Sequence, residues 1–242
     1  QVWRLARVSQ RRQIRIKAVD VAYFLRVRTA FIRSYYDTAQ APFAERKRLI
    51  ENDLPPFDDP PYSEDGEPPY LVEWMDADLA IQILGRSCVS ILSETLKLYF
   101  ETLMARVIGA RLTRESQTTL KSRGFVPVYK DVLGEILKTD WSDTPVDFEI
   151  IEQVVLARNR SQHGEHLPSL NVTHDARTLA KYPRPFFATS EESEDGRRGF
   201  LSPEVTVTRE TLFAALDQVE ALADWVDGRG EQIFRWRRQN RE

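Results

Sequence analysis

Cysteine is nearly absent from this chain: Cys88 is the only one in 242 residues. No intrachain disulfide can form, which fits a reducing compartment. Cys88 lies in the apolar run Ile81 to Leu98 and reads as a small buried hydrophobe. Histidine is almost as scarce, with three in all, His163, His166 and His174, crowded into one short region. No stretch approaches the ~20 continuous apolar residues of a membrane span, so no membrane association is expected. The opening residues Gln1-Val2-Trp3-Arg4 carry neither a methionine nor a signal-peptide run, so a start within a longer chain is expected. Glycine-rich phosphate loops, the nucleophile elbow and the dinucleotide fingerprint are missing as well, and nothing calls for a cofactor. The net charge of −3 argues against a protein that binds nucleic acid over its whole surface but leaves room for local basic patches.

What remains is a chain with 42 % hydrophobic and 29 % charged residues, enough for a real core in a soluble protein, with the cytoplasm as its expected location. Apolar residues at Ile14, Val21, Phe24, Leu25, Phe31, Ile32 and Tyr35 predict a helix over Arg11 to Gln40, stopped by Pro42. A shorter helix is expected over Pro42 to Asn52. Paired prolines and acids then make Leu54 to Tyr70 an extended acidic loop. Leu71 to Gly109 is the most strongly helical stretch, apolar on more than one side, as a central helix would be. Phe125 to Leu137 and Val146 to Gln162 predict two more helices, the second opened by Thr144-Pro145. After His163 the pattern lapses into a long irregular connection. Val205 to Thr208 reads as a short strand-like piece, and Thr208 as the cap of a helix from Arg209 to Asp227 with Leu212, Leu216, Val219, Leu222 and Val226 as its core stripe. Gly228 and Gly230 stop that helix, and a basic end follows. The expected organisation is an extension over 1–70 and an all-α domain over 71–242.

The chemistry concentrates in Arg158-Asn159-Arg160-Ser161-Gln162-His163-Gly164, at the end of the helix from Val146. Histidine titrates near neutral pH and suits proton transfer. Arginine is permanently cationic, and its planar fork suits a phosphate. Ile150, Ile151, Val154, Val155 and Arg158 recur at helical spacing, which puts Arg158 on or beside the inward face. On a straight helix Arg158 and His163 point about 140° apart, so they converge only if the helix ends between them or a second chain closes the site. Asn159 would orient the histidine or a carbonyl, or simply face solvent. A metal site from His163, His166 and His174 with Asp175 or Glu165 is disfavoured, because Gly164 and Pro168 disturb the helix and no cysteine is near. The basic clusters Arg4 to Lys17 and Arg235 to Arg241 are either RNA-steering surfaces or solvated helix faces.

The segment Arg158-Asn159-Arg160-Ser161-Gln162-His163 resembles the signature of the HEPN superfamily, an arginine, commonly followed by a polar residue, then a histidine after four to six residues. The likeness extends over roughly Leu71 to Asp227. It implies an all-helical bundle, here with a long extra N-terminal helix and a strand-like segment before the last helix. It implies a metal-independent endoribonuclease of a prokaryotic defence or toxin–antitoxin system, working as a homodimer and controlled by an antitoxin or partner protein. Arg158, His163 and Asn159 would be catalytic, and Arg160 and His166 would contact RNA. A branch of the family carries a tyrosine two positions after the histidine as a site of AMP modification. Glu165 stands there in this chain, so that route of silencing is not expected. The alternative reading is a catalytically silent scaffold that binds RNA, nucleotide or a partner protein.

Overall fold

The computed structural model describes residues 2–59, 66–162, 170–189 and 202–240, and the side chains of the first helix from residue 21 onward. The chain is all-α. Eight α-helices are described: α1 (Val2–Glu51), α2 (Leu71–Thr102), α3 (Arg114–Arg123), α4 (Phe125–Leu137), α5 (Phe148–Gln162), α6 (Ala176–Lys181), α7 (Arg209–Asp227) and α8 (Gly230–Gln239). A π-helical turn, Leu103–Ile108, prolongs α2 and ends at Gly109, whose φ of 76° a side-chain-bearing residue would adopt only with strain.

Two compact units can be drawn, and they do not follow a division at residue 70. One comprises residues 1–30, 92–154 and 214–242, the other residues 31–91 and 155–213. In the first, Phe100 stacks on Tyr129 at 4.8 Å and Trp141 on Trp225 at 4.7 Å, while Leu96, Leu133, Leu216, Val219 and Leu222 are wholly buried. In the second, Ile32, Tyr36, Cys88, Phe187, Val207 and Leu212 form the core. There Arg209 grips the carboxylate of Asp37 with two bonds, 2.7 and 3.0 Å. Burial pushes the Cys88 thiol up to about 11, as expected of an inert packing residue.

Local sequence explains several helix starts. Thr208 accepts at Oγ1 from the Thr211 amide at 3.2 Å, and Thr211 Oγ1 accepts from the Thr208 amide at 3.0 Å, a reciprocal cap for α7. α5 starts at Phe148, not Val146. Its cap is Asp147, which accepts from the amides of Glu149 and Ile150, so Pro145 lies ahead of the helix and not in its first turn.

Pro42 does not stop α1, which runs through it to Glu51. One amide is lost and the carbonyl of Thr38 is crowded. The helix is nevertheless held on both sides of the proline, by Asp37–Arg209 before it and by Lys47–Asp78 and the Trp74 indole donating to Glu51 after it. The described ends of the acidic loop are tied together, since Phe57 and Tyr70 meet edge-to-face at 4.9 Å and the Tyr70 hydroxyl donates to the Asp59 carbonyl. No helix was expected over α3 or α6. The first has no buried residue and is opened by Thr113; the second is opened by Asp175.

Residues 205–208 are extended but form no strand, and α8 follows α7 beyond Gly228, so α7 is not the last helix. The backbone around 204 makes one isolated bridge, Thr173 to Glu204. The helix Leu71–Ile108 is long and apolar enough to cross a membrane by length and composition, and 44 % of its most apolar stretch is buried inside the protein.

Candidate functional site

α5 presents Ile151, Val154 and Ala157 inward, all fully buried. Arg158 follows Ala157 at the rim of that face and is half-buried, while Asn159 is exposed. The guanidinium of Arg158 donates from Nη1 to its neighbour's side chain, Asn159 Oδ1, at 3.1 Å. It makes no ion pair among the described residues, so most of its five donors remain open to a ligand. Asn159 therefore acts on the arginine. His163 and His166 lie outside the described residues.

Arg160 is placed differently. Its Nε donates to the Thr173 carbonyl at 2.7 Å, a bond that ties the last turn of α5 to the segment after residue 170. Sequence reasoning assigned Arg160 an RNA contact only and gave no hint of this structural bond. His174 sits in the same segment, 3 % exposed, with Nε2 at 2.9 Å from the Phe187 carbonyl. A carbonyl only accepts, so Nε2 carries the proton and is not free to bind a metal. Asp175 caps α6 by accepting from the Thr178 amide at 2.6 Å. Burial pushes its pKa up, but the Thr178 bonds and the charge of Arg160 outweigh it, and the net shift is downward. Among the described residues no group of three His, Cys, Asp or Glu side chains is placed to hold a metal.

A further arginine of this unit escaped sequence reasoning. Arg86, on α2, is only 6 % exposed and donates from Nη2 to the Leu170 carbonyl at 3.0 Å. Burial makes its protonated form harder to keep, and the charge of Glu204 opposes that. The one available signal was an arginine within an apolar helix run, Ile83-Leu84-Gly85-Arg86. Arg86 and Arg160 thus hold two carbonyls, at 170 and 173, of one segment.

The first unit has an open cleft of about 520 Å³, lined by Lys130, Trp141, Phe148 and the loop between α4 and α5, and it contains no residue of the arginine motif. The fold and the open guanidinium define an all-α protein with an arginine-centred candidate site at a helix end. Compared with models of protein families, with characterised proteins and with solved structures, the chain finds no match.

Proposed function

We propose that this protein is a metal-independent endoribonuclease of the HEPN type, acting in a prokaryotic defence or toxin–antitoxin system in the cytoplasm. One observation carries the reading most: Arg158 sits at the rim of the helix face with no carboxylate to neutralise it among the described residues. A framework arginine has its guanidinium committed to a carboxylate or a carbonyl, as Arg86 has; one that serves a phosphate keeps its fork open.

In the proposed reaction the 2′-hydroxyl of a ribose attacks the adjacent phosphorus. The bond to the 5′-oxygen of the next nucleotide breaks, leaving a 2′,3′-cyclic phosphate and a 5′-hydroxyl. His163 takes the proton from the 2′-hydroxyl or returns one to the leaving oxygen, and Arg158 stabilises the added charge on the phosphorane. Asn159 orients the guanidinium through its side-chain oxygen. DNA lacks the nucleophile and survives. On a helix continued to His163 the two side chains would diverge by about 140°, so in this reading two copies of the chain share the cleft. In the second unit the exposed rings of Phe31 and Tyr35 on α1 stack at 5.9 Å, an apolar patch that assembly would cover.

The test is RNA cleavage in the presence of EDTA by the native chain and by His163→Ala, with end-group analysis of the products. Cyclic phosphate ends that vanish in the variant support the reading. Binding of RNA without cleavage by a folded, dimeric chain overturns it and favours the silent scaffold.

A further inference from the structure

The chain is net acidic, yet one surface of the first unit gathers cations from two remote stretches of sequence. The π turn closes with the amides of Gly109 and Ala110 both donating to the Met104 carbonyl, at 2.8 and 3.0 Å. The later carbonyls of the turn are left without helical partners, and this end of the helix is electronegative. Arg237 of α8 caps it, donating from Nη1 to the Val107 carbonyl at 3.0 Å. That bond sets α8 against the π turn and places Arg106 and Arg238, the sequence neighbours of its two ends, beside one another's elements.

Arg106 and Arg238 are exposed, and so are Arg111 and Arg114, which continue from the turn into α3. None of the four makes an ion pair among the described residues, unlike Arg123 with Asp131 and Arg235 with Glu231. Glu115 is the one acid between residues 103 and 123. Three such guanidinium groups in this stretch and Arg238 on α8, none ion-paired among the described residues, stand against the net charge of −3 for the whole chain. α8 also carries an exposed aromatic ring, Phe234, with 64 % of its surface open. On α8 Phe234 lies about 60° round from Arg237 and about 40° from Arg238, so ring and cation share a flank.

We propose that this surface, formed by Arg106, Arg111, Arg114, Arg238 and Phe234, is where single-stranded RNA docks. The guanidinium groups take phosphates and Phe234 stacks beneath a base, the combination by which proteins hold single strands without reading their sequence. The inference rests on the endoribonuclease reading only for the choice of RNA as the polyanion. A basic helix with an aromatic residue also suits an anionic membrane. Here, however, the apolar side of α8 is already used: Ile233 is buried and the helix packs on α4 and the π turn.

The decisive experiment titrates a fluorescent 20-nucleotide 2′-O-methyl RNA, which lacks the nucleophile, with the native chain and with variants. Arg106→Glu/Arg238→Glu is expected to raise Kd at least tenfold and to flatten the salt dependence of binding. Each lost phosphate contact removes about 0.7 from the slope of log K against log salt. Phe234→Ala should weaken binding about fivefold or more. Arg46→Glu, an exposed cation of the other unit, should change Kd less than twofold. All these side chains are exposed, so melting temperatures serve as a folding control, and the neutral pair Arg106→Gln/Arg238→Gln repeats the test without added repulsion.

A Kd unchanged by the double variants, or an equal loss in Arg46→Glu, overturns the proposal. So does binding to phosphatidylserine vesicles with no affinity for the oligonucleotide. Cleavage of a ribodinucleotide, whose single phosphate can occupy only one site at a time, separates the two readings. Cleavage that persists with an unaffected Kd sinks the docking surface alone. Lost cleavage with a Kd that obeys the variants sinks the nuclease and leaves the surface.

Discussion

Arg86 and Arg158 belong to the same compact unit and put the same side chain to opposite uses. Arg86 is buried on α2 with its guanidinium committed to the Leu170 carbonyl, and burial works against its charge. Arg158 stands half-exposed at the end of α5, and among the described residues its guanidinium bonds to the side chain next to it in sequence. A desolvated, committed guanidinium is part of the framework, because removing it leaves an acceptor unsatisfied and a space unfilled. A guanidinium at the rim, already charged and mostly unengaged, loses little on binding an anion. The difference between the two is therefore read by asking which property each substitution harms.

The largest effect is expected at Arg158. Arg158→Ala should lower RNA cleavage by about 10²–10³-fold, as loss of one donor to a developing oxyanion does elsewhere. Its melting temperature should stay within about 2 °C of the native chain, since a side chain half in water and bonded to its own neighbour adds little stability. Arg158→Lys keeps the charge but not the fork, so binding should recover better than turnover. Full activity of the lysine variant would make Arg158 a general electrostatic contact and would erase half of the contrast.

Arg86→Ala should do the reverse. The lost bond and the vacated volume together are expected to destabilise the fold by roughly 2–4 kcal/mol, measured as a shift in urea midpoint. Per folded molecule, cleavage should fall much less than in Arg158→Ala. A stable Arg86→Ala chain without activity would place Arg86 in the chemistry and break the comparison outright.

A third variant tests the framework around Arg86. Gly85, its neighbour in α2, would place a Cβ 2.8 Å from Val207 Cβ. Alanine usually gains about 1 kcal/mol over glycine in a helix interior. Here the overlap with a β-branched, buried partner should reverse the sign and cost about 1–3 kcal/mol. A stabilised Gly85→Ala chain would mean that the 205–208 segment yields easily, and that its amide bonds to Val172, Phe187 and Gln82 hold it less firmly than their lengths suggest.

The same contrast separates what sequence made legible from what it hid. α7 could be read residue by residue, because its cap at Thr208 and its stripe from Leu212 to Val226 are local properties of one segment. Arg158 at a helix end beside an apolar face was legible for the same reason. Arg86 was not: its acceptor lies 84 residues away, and no spacing rule connects them. Val205 to Thr208 misled for a related reason. The alternation of Val205 and Val207 does bury both residues, as a strand would, but the amides go to three unrelated partners. Val205 donates to the Val172 carbonyl, Thr206 to the Phe187 carbonyl and Val207 to the Gln82 side chain. Periodicity reports which side is buried and says nothing of whether a neighbouring strand exists. α3 was invisible because it buries nothing and is held by its cap and its contact with α4.

Arg160 lies between the two extremes, and Asp175 offers a way to place it. The Asp175 carboxyl is pulled below its ordinary value of 3.8 by the Thr178 bonds and the charge of Arg160, against the opposing effect of burial. A carboxyl whose folded value is depressed contributes stability that is fully present above the unfolded value. That contribution is lost as pH falls through about 4 and below. Asp175→Asn keeps a good helix cap but cannot ionise. At pH 7 the native chain should be more stable than this variant by up to about 1 kcal/mol, and the gap should narrow as pH falls below about 4. Arg160→Gln should shrink the same gap, because the neutral amide no longer favours the ionised carboxylate. Urea midpoints for the native chain, both single variants and the double variant at pH 7, 5 and 3 form the required cycle. If Arg160→Gln leaves the Asp175 gap untouched but weakens RNA binding, Arg160 behaves like Arg158, as a cation held for a ligand. If the gap shrinks and RNA binding does not change, Arg160 belongs with Arg86, and the phosphate-binding part of the motif is Arg158 alone.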